Sequence, residues 1–81
     1  MIRLTLYSTT GCHLCEEAHA LLEWCLANRE PSVCSLRITD IADDPTLMEN
    51  YGILIPVLRN EESGWELNWP FGPEEIMGIL Q

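Results

Sequence analysis

The hydrophobic period of this chain lengthens from two residues to between three and four over its first two dozen positions, and that change constrains the fold more than any other feature. Ile2, Leu4 and Leu6 alternate with Arg3, Thr5 and Tyr7, which predicts a strand over residues 2 to 7. Ser8-Thr9-Thr10-Gly11 is turn chemistry. Beyond it Leu14, Ala18, Leu21, Leu22 and Cys25 recur at helical spacing, which predicts a helix from Cys12 to Asn28. Glu16 and Glu17 in its first turn and Arg29 at its end suit the helix dipole, and Pro31 stops it. Cys34, Leu36 and Ile38 then alternate with Ser35, Arg37 and Thr39, a second strand whose polar face suits a sheet edge. A strand, a full helix and a strand in succession imply a parallel pair joined by a right-handed crossover.

The remainder reads in shorter pieces. Asp40 to Asp44 followed by Pro45 forms a cap, and a short helix through Leu47, Met48 and Tyr51 ends at Gly52. Val57 to Asn60 and Trp65 to Trp69 are strands separated by the hairpin-length loop Glu61-Glu62-Ser63-Gly64, with Trp65 and Trp69 expected to pack on the sheet. Pro70, Gly72 and Pro73 open a last helix whose Ile76, Met77, Ile79 and Leu80 are expected to face that sheet. The order β-α-β-α-β-β-α describes an α/β fold, a mixed four-stranded sheet flanked by helices, in a single domain over residues 1–81. An apolar fraction of 47% against 21% charged residues excludes the disordered and collagenous classes.

Thirteen acidic residues against four arginines and no lysine give a net charge of -9. A phosphate backbone is bound by clustered Lys and Arg, whereas Arg3, Arg29, Arg37 and Arg59 are scattered, so nucleic acid is excluded as a partner and anionic membrane surfaces are disfavoured. The apolar run from Ile53 to Val57, with Pro56 inside it, is far short of a membrane span. The first residues alternate instead of forming a signal peptide, so the cytoplasm is the expected compartment; the chain is also expected to be a monomer.

That compartment disfavours a disulfide scaffold and draws attention to the close pair in Cys12-His13-Leu14-Cys15. The spacing alone is a weak signal; its position between a strand and a helix start is informative, because Cys12 there meets unsatisfied backbone N–H groups and the positive end of the dipole. The dipole contributes about 0.3 to 1 kcal/mol, which lowers a thiol pKa by less than about one unit. A protonated His13 would assist, while Glu16 and Glu17 oppose, so Cys12 is expected to be only mildly acidic. Cys15, one turn further in, is placed to attack a mixed disulfide formed at Cys12. His13 also reads as an ordinary exposed helix-start residue. His19 reads as a surface histidine more readily than as a third metal ligand with Cys12 and Cys15. Cys25 and Cys34 continue apolar stripes, as buried thiols or as a second disulfide. Asp43-Asp44 and Glu61-Glu62 read as solvated loops or helix starts.

The element order, the Cys12–Cys15 motif after strand one and Ile55-Pro56 ahead of the hairpin together resemble the thioredoxin superfamily and, within it, the glutaredoxin-like proteins, over nearly the whole chain. Gly11-Cys12-His13-Leu14-Cys15 is similar to the Gly-Cys-x-Leu-Cys helix start of small bacterial members. The resemblance implies a thioredoxin-like fold and thiol–disulfide oxidoreductase or electron-carrier activity, with Cys12 as nucleophile and Cys15 resolving. It also implies a cis Pro56 beside Cys12 and an Ile55 backbone that pairs with a peptide-like substrate. Thr10 and Gly11 ahead of the motif, and Glu74 in the position of an acidic residue that receives the glutathione amine, are the further substrate contacts it suggests. Arg59, just past Pro56, is the nearby cation for a carboxylate. Typical glutaredoxins carry Pro-Tyr between the cysteines and a lysine ahead of them, where this chain has His13-Leu14 and Ser8-Thr9-Thr10. Glutathione is therefore expected to be a weak reductant or co-substrate, and a protein disulfide with a neutral or basic surface the better partner, with no cofactor bound. The competing classes are a metal or iron–sulfur module held through Cys12 and Cys15, and an interaction domain without turnover.

Overall fold

The computed structural model describes residues 2–27 and 34–80. Strand β1 (Ile2–Ser8), helix α1 (His13–Ala27), strand β2 (Cys34–Asp40), helix α2 (Pro45–Tyr51), strand β3 (Val57–Asn60), strand β4 (Glu66–Asn68) and helix α3 (Pro73–Ile79) follow in that order, with a 3-10 turn at Ile41–Asp43 ahead of α2. The end of α1 anticipated at Asn28, with Arg29 and Pro31, lies outside the described residues. The sheet runs β2-β1-β3-β4. β1 pairs parallel with β2, Ile2 opposite Cys34 through Ser8 opposite Asp40, and antiparallel with β3, Tyr7 opposite Val57. β4 returns antiparallel on β3. The chain thus forms the mixed-sheet α/β architecture that its hydrophobic periods imply, with the half-polar β2 at an edge.

Alternation along the strands separates two clusters, one on each face of the sheet. Leu4, Leu6 and Leu58 pack with Ala18, Leu22 and Cys25 of α1 and with Phe71, Ile76, Ile79 and Leu80 around α3. Tyr7 and Val57 point the other way and meet Ile41, with Leu47, Tyr51 and Ile55 against them. Full burial of each aliphatic side chain in these clusters contributes about 1.5–3 kcal/mol. Among the described residues, no helix is long and apolar enough to cross a membrane.

Local chemistry explains the helix starts. Asp44 caps α2 by accepting the N–H groups of Thr46 at 2.9 Å and Leu47 at 3.3 Å, with Pro45 at the first position. Glu75 reaches back to accept the Gly72 N–H at 3.3 Å at the start of α3.

Several side chains sit elsewhere than their periodicity suggests. The buried stripe of α1 is Cys15, Ala18, Leu22 and Cys25, while Leu14 is 47% exposed. Leu14 precedes Cys15 by one position, a rotation of about 100° about the helix axis that carries it off the core-facing stripe. Met77 is turned out in the same way by the Ile76, Ile79 and Leu80 phase of α3. Trp65 is 73% exposed rather than packed on the sheet, because β4 begins only at Glu66 and Trp65 lies where the loop departs; Leu67 and Trp69 do join the core. Ile38 on the edge strand is exposed, and Cys34 is half-buried rather than buried. Cys25 and Cys34 are both free thiols.

One buried polar residue has no hydrophobic signature at all. Asn60 donates to the Ile79 carbonyl at 2.6 Å and accepts from the N–H groups of Glu62 at 2.8 Å and Ser63 at 3.3 Å. It ties the hairpin loop to the end of α3.

Candidate functional site

The site grows out of the C-terminal end of β1. After Ser8 the chain turns through Thr9, Thr10 and Gly11, whose φ of +82° lies in the left-handed region where a side chain is disfavoured. The Cys12 N–H closes the turn on the Thr9 carbonyl at 3.4 Å, and the Cys12 carbonyl accepts the Glu16 N–H at 3.2 Å. Cys12 therefore occupies the capping position of α1. Its Sγ accepts the Cys15 N–H at 3.2 Å, the contact that a serine or aspartate oxygen makes in an ordinary N-cap. The same donor, together with the helix dipole, favours negative charge on that sulfur when it is a thiolate.

Cys12 and Cys15 are joined in a disulfide, with a Cα–Cα separation of 5.2 Å. Cys12 is half-buried, and Cys15 is 2% exposed. The difference follows from helix phase: Cys15 starts the core-facing stripe and Cys12 stands outside the first turn. A reagent approaching from solvent reaches Cys12 first, and Cys15 then has access to Cys12 from below.

Of the flanking residues, His13 and Glu16 approach each other at 3.8 Å with side chains 82% and 76% exposed. An ion pair so exposed is worth about 0–1 kcal/mol. His19 takes Glu23 at 2.8 Å. Among the described residues, no three His, Cys, Asp or Glu side chains converge as a group that could hold a metal ion.

Strand register places Pro56 at the end of the sheet that carries the motif. Tyr7 pairs with Val57 in antiparallel sense, so the residue after Tyr7 and the residue before Val57 leave the ladder at the same end of the sheet, the end that carries Cys12. Pro56 is buried, its carbonyl accepts the Trp69 N–H at 3.3 Å, and the Ile55–Pro56 peptide is cis, as is Trp69–Pro70. The Ile55 amide donates to the Tyr51 carbonyl at 3.1 Å, and Leu54 donates to the same carbonyl at 2.8 Å. A bound peptide would thus find the Ile55 N–H already engaged and only its carbonyl to pair with.

Tyr51 holds this loop in place. Its ring stacks on Tyr7 at 4.4 Å, and its hydroxyl donates to Glu66 of β4 at 2.5 Å, a bond that pushes its pKa up to about 12. Glu66 also accepts from Arg59 at 3.1 Å, Arg59 donates to Glu61 at 2.7 Å, and Glu61 accepts the Thr5 hydroxyl at 2.9 Å. The Arg59 guanidinium holds the Glu61 carboxyl below the usual carboxylate range. This network escapes sequence reasoning; the alternation of Thr5, Tyr7, Arg59 and Glu66 onto one face is the one signal that could have found it. Arg59 is therefore engaged on the face away from Pro56, with its charge already matched by two carboxylates. Glu74 is exposed in the first turn of α3. Thr10 is exposed beside the motif and, with Ser8, Thr9, Ile38 and Asp40, lines an open pocket on the β2 side.

Comparison with known proteins adds the family context. The profile described as Glutaredoxin-like domain (DUF836) matches residues 3–81. The crystal structure of target protein XcR50 from X. campestris is similar at 36% identity and a TM-score of 0.78, covering 95% of this chain and 93% of that one. The solution structure of protein Ne2328 from Nitrosomonas europaea is similar at 27% identity and a TM-score of 0.80, covering 99% of this chain and 92% of that one. Among the curated proteins, none matches the chain.

Proposed function

Since the chain belongs to the glutaredoxin-like domain family, we propose that it is a thiol–disulfide oxidoreductase in which Cys12 is the nucleophile and Cys15 the resolving thiol. The observation that carries this reading is the bonded pair at the start of α1, with a half-exposed Cys12 whose sulfur accepts the Cys15 N–H and a Cys15 buried behind it. In the reduced protein the Cys12 thiolate attacks one sulfur of a partner disulfide. A mixed disulfide forms and the partner's other sulfur leaves as a thiolate that takes up a proton. Cys15, losing its proton to solvent, then attacks the Cys12 sulfur and expels the second partner thiolate, which is protonated in turn. Two electrons pass to the partner and the Cys12–Cys15 disulfide remains, to be returned to the dithiol by an external thiol.

The substrate is a protein disulfide, with glutathione a weak reductant or co-substrate. A net charge of -9 offers an anionic tripeptide little attraction, and Arg59, the cation nearest Pro56 in sequence, is already held by Glu61 and Glu66. His13 and Glu16 set the local charge at the helix start, and Pro56 with the Ile55 carbonyl forms the rim against which the partner lies. A reducing cytoplasm suits this cycle, because it regenerates the dithiol and keeps Cys25 and Cys34 as thiols.

The test is a stopped reaction of the reduced protein with a model protein disulfide. Native protein should consume one disulfide per chain and return as the Cys12–Cys15 disulfide. Cys15→Ser should accumulate the mixed disulfide at Cys12, and Cys12→Ser should do neither. A Cys12→Ser protein as active as native would overturn the assignment, and stoichiometric zinc or iron in the purified native protein would favour the metal-module alternative.

A further inference from the structure

Beside the turn that carries the motif lies an open pocket of about 200 Å³, lined by Ser8, Thr9, Thr10, Ile38 and Asp40. Its construction follows from the parallel register of β1 and β2. Ser8 stands opposite Asp40 and Leu6 opposite Ile38, so strand alternation directs Ser8, Ile38 and Asp40 to one face, the face that α1 covers. Thr9 and Thr10 then lead the chain over this corner to Cys12. The pocket wall offers three hydroxyl groups, one carboxylate and the exposed aliphatic side chain of Ile38, and no cation. Asp40 Oδ1 accepts the Ala42 N–H at 2.9 Å; Oδ2 has no hydrogen-bond partner among the described residues. Arg37, one position before Ile38, is directed to the opposite face of the sheet.

This set of groups selects a cation on an apolar stem. Hydroxyl oxygens accept hydrogen bonds from an ammonium or guanidinium group, the carboxylate matches its charge, and Ile38 covers the methylene stem. An anion would meet Asp40 without a compensating positive charge. Thr10 and Cys12 are two positions apart, so their Cα atoms lie within about 7 Å of each other. A side chain seated in the pocket therefore belongs to the same short stretch of partner as the sulfur that Cys12 attacks.

We propose that this pocket receives a basic side chain, arginine above lysine, from a disulfide-bonded protein partner, at a position within about three residues of the attacked cysteine. The proposal rests on the thiol–disulfide reading above and narrows its substrate class. Arginine is preferred because its planar fork can bond a carboxylate and a hydroxyl together, whereas an ammonium acts as a point charge.

The experiment uses disulfide-linked peptides identical except at one position two residues from the cysteine, where they carry arginine, glutamine or glutamate. Initial rates of their reduction by the dithiol form of the protein are compared. The arginine peptide should react about three- to fivefold faster than the glutamine peptide, and the glutamate peptide more slowly than either. Asp40→Asn retains the Oδ1 acceptor for Ala42 and should bring the arginine-to-glutamine ratio to within about 1.5. Glu23→Gln removes the same charge from the middle of α1 and should leave that ratio as in the native protein. An unchanged ratio in Asp40→Asn, or an equal fall in both variants, would overturn the pocket in favour of a general field effect. If the native protein reduces none of the peptides, the thiol–disulfide reading is what fails. The pocket is then decided by amide chemical shifts on adding an arginine peptide with serine in place of cysteine. Shifts confined to residues around Thr9, Thr10, Ile38 and Asp40 would support it, and their absence would overturn it.

Discussion

At the scale of single residues, helix phase separates two cysteines of the same motif. Cys12 caps α1 and stays half-exposed, and Cys15 joins the buried stripe. After reduction, alkylation with limiting reagent should label Cys12 first, and peptide mapping should find Cys25 slow, since burial both covers that thiol and pushes its pKa up. Mapping that finds Cys25 labelled ahead of Cys12 would overturn both the choice of Cys12 as nucleophile and the buried reading of Cys25. Gly11 answers to conformation rather than space: an added Cβ would meet nothing within 4 Å, yet its φ is +82°. Gly11→Ala should accordingly cost about 1–2 kcal/mol in urea unfolding without blocking the site. Asn60→Ala should cost about 2–3 kcal/mol, because it strands the Ile79 carbonyl and two N–H groups of the hairpin loop. Gly11 and the cysteines are legible from local chemistry alone. Asn60 is not, since its partner at Ile79 lies 19 positions away and nothing near it in the chain distinguishes it from a turn residue.

At the scale of elements, α2 depends on what surrounds it. Its seven residues include none that is fully buried, and a helix so short has little stability of its own. The Asp44 cap, the Tyr7–Tyr51 stack and the bond from Tyr51 to Glu66 hold it, and the Tyr51 carbonyl in turn holds Leu54 and Ile55 ahead of Pro56. Tyr51→Phe keeps the stack and removes the hydroxyl, so hydrogen exchange at the Leu54 and Ile55 amides should quicken more than at Leu6 or Leu58; a uniform change would argue against the latch. The same contacts predict a pH profile. Tyr51 is raised from 10.0 to about 12 in the folded protein, so its contribution is intact below pH 10 and is lost as pH rises through 12. Glu61 is lowered from 4.5, chiefly by the bond from Arg59, so its contribution is present above pH 4.5 and fades as pH falls below it. Urea midpoints should show the alkaline loss diminished in Tyr51→Phe and the acid loss diminished in Glu61→Gln. The second effect should be small, because the Arg59 and Glu61 side chains are each 33% exposed.

At the scale of the whole molecule, charge governs encounter. A chain of -9 without lysine should reduce a basic protein disulfide faster at low salt than at physiological salt, as the Debye length falls from about 30 to 8 Å. A small neutral disulfide should show no such dependence, and equal salt responses would remove charge from the account of partner choice. Charge, element order, the edge position of β2, the parallel crossover and the placing of Cys12 at a helix start were all determined by the sequence itself. Each is written in composition or in patterns spanning a few neighbouring residues, which local backbone geometry converts directly into structure. Tertiary structure alone decided that Trp65 is left exposed, that Arg59 is matched by Glu61 and Glu66, and that Ser8, Ile38 and Asp40 meet around one pocket. These outcomes depend on strand register and on contacts between distant positions, such as Thr5 with Glu61, 56 residues apart. No periodicity within a segment records which strand will lie beside it or where a neighbouring loop turns away.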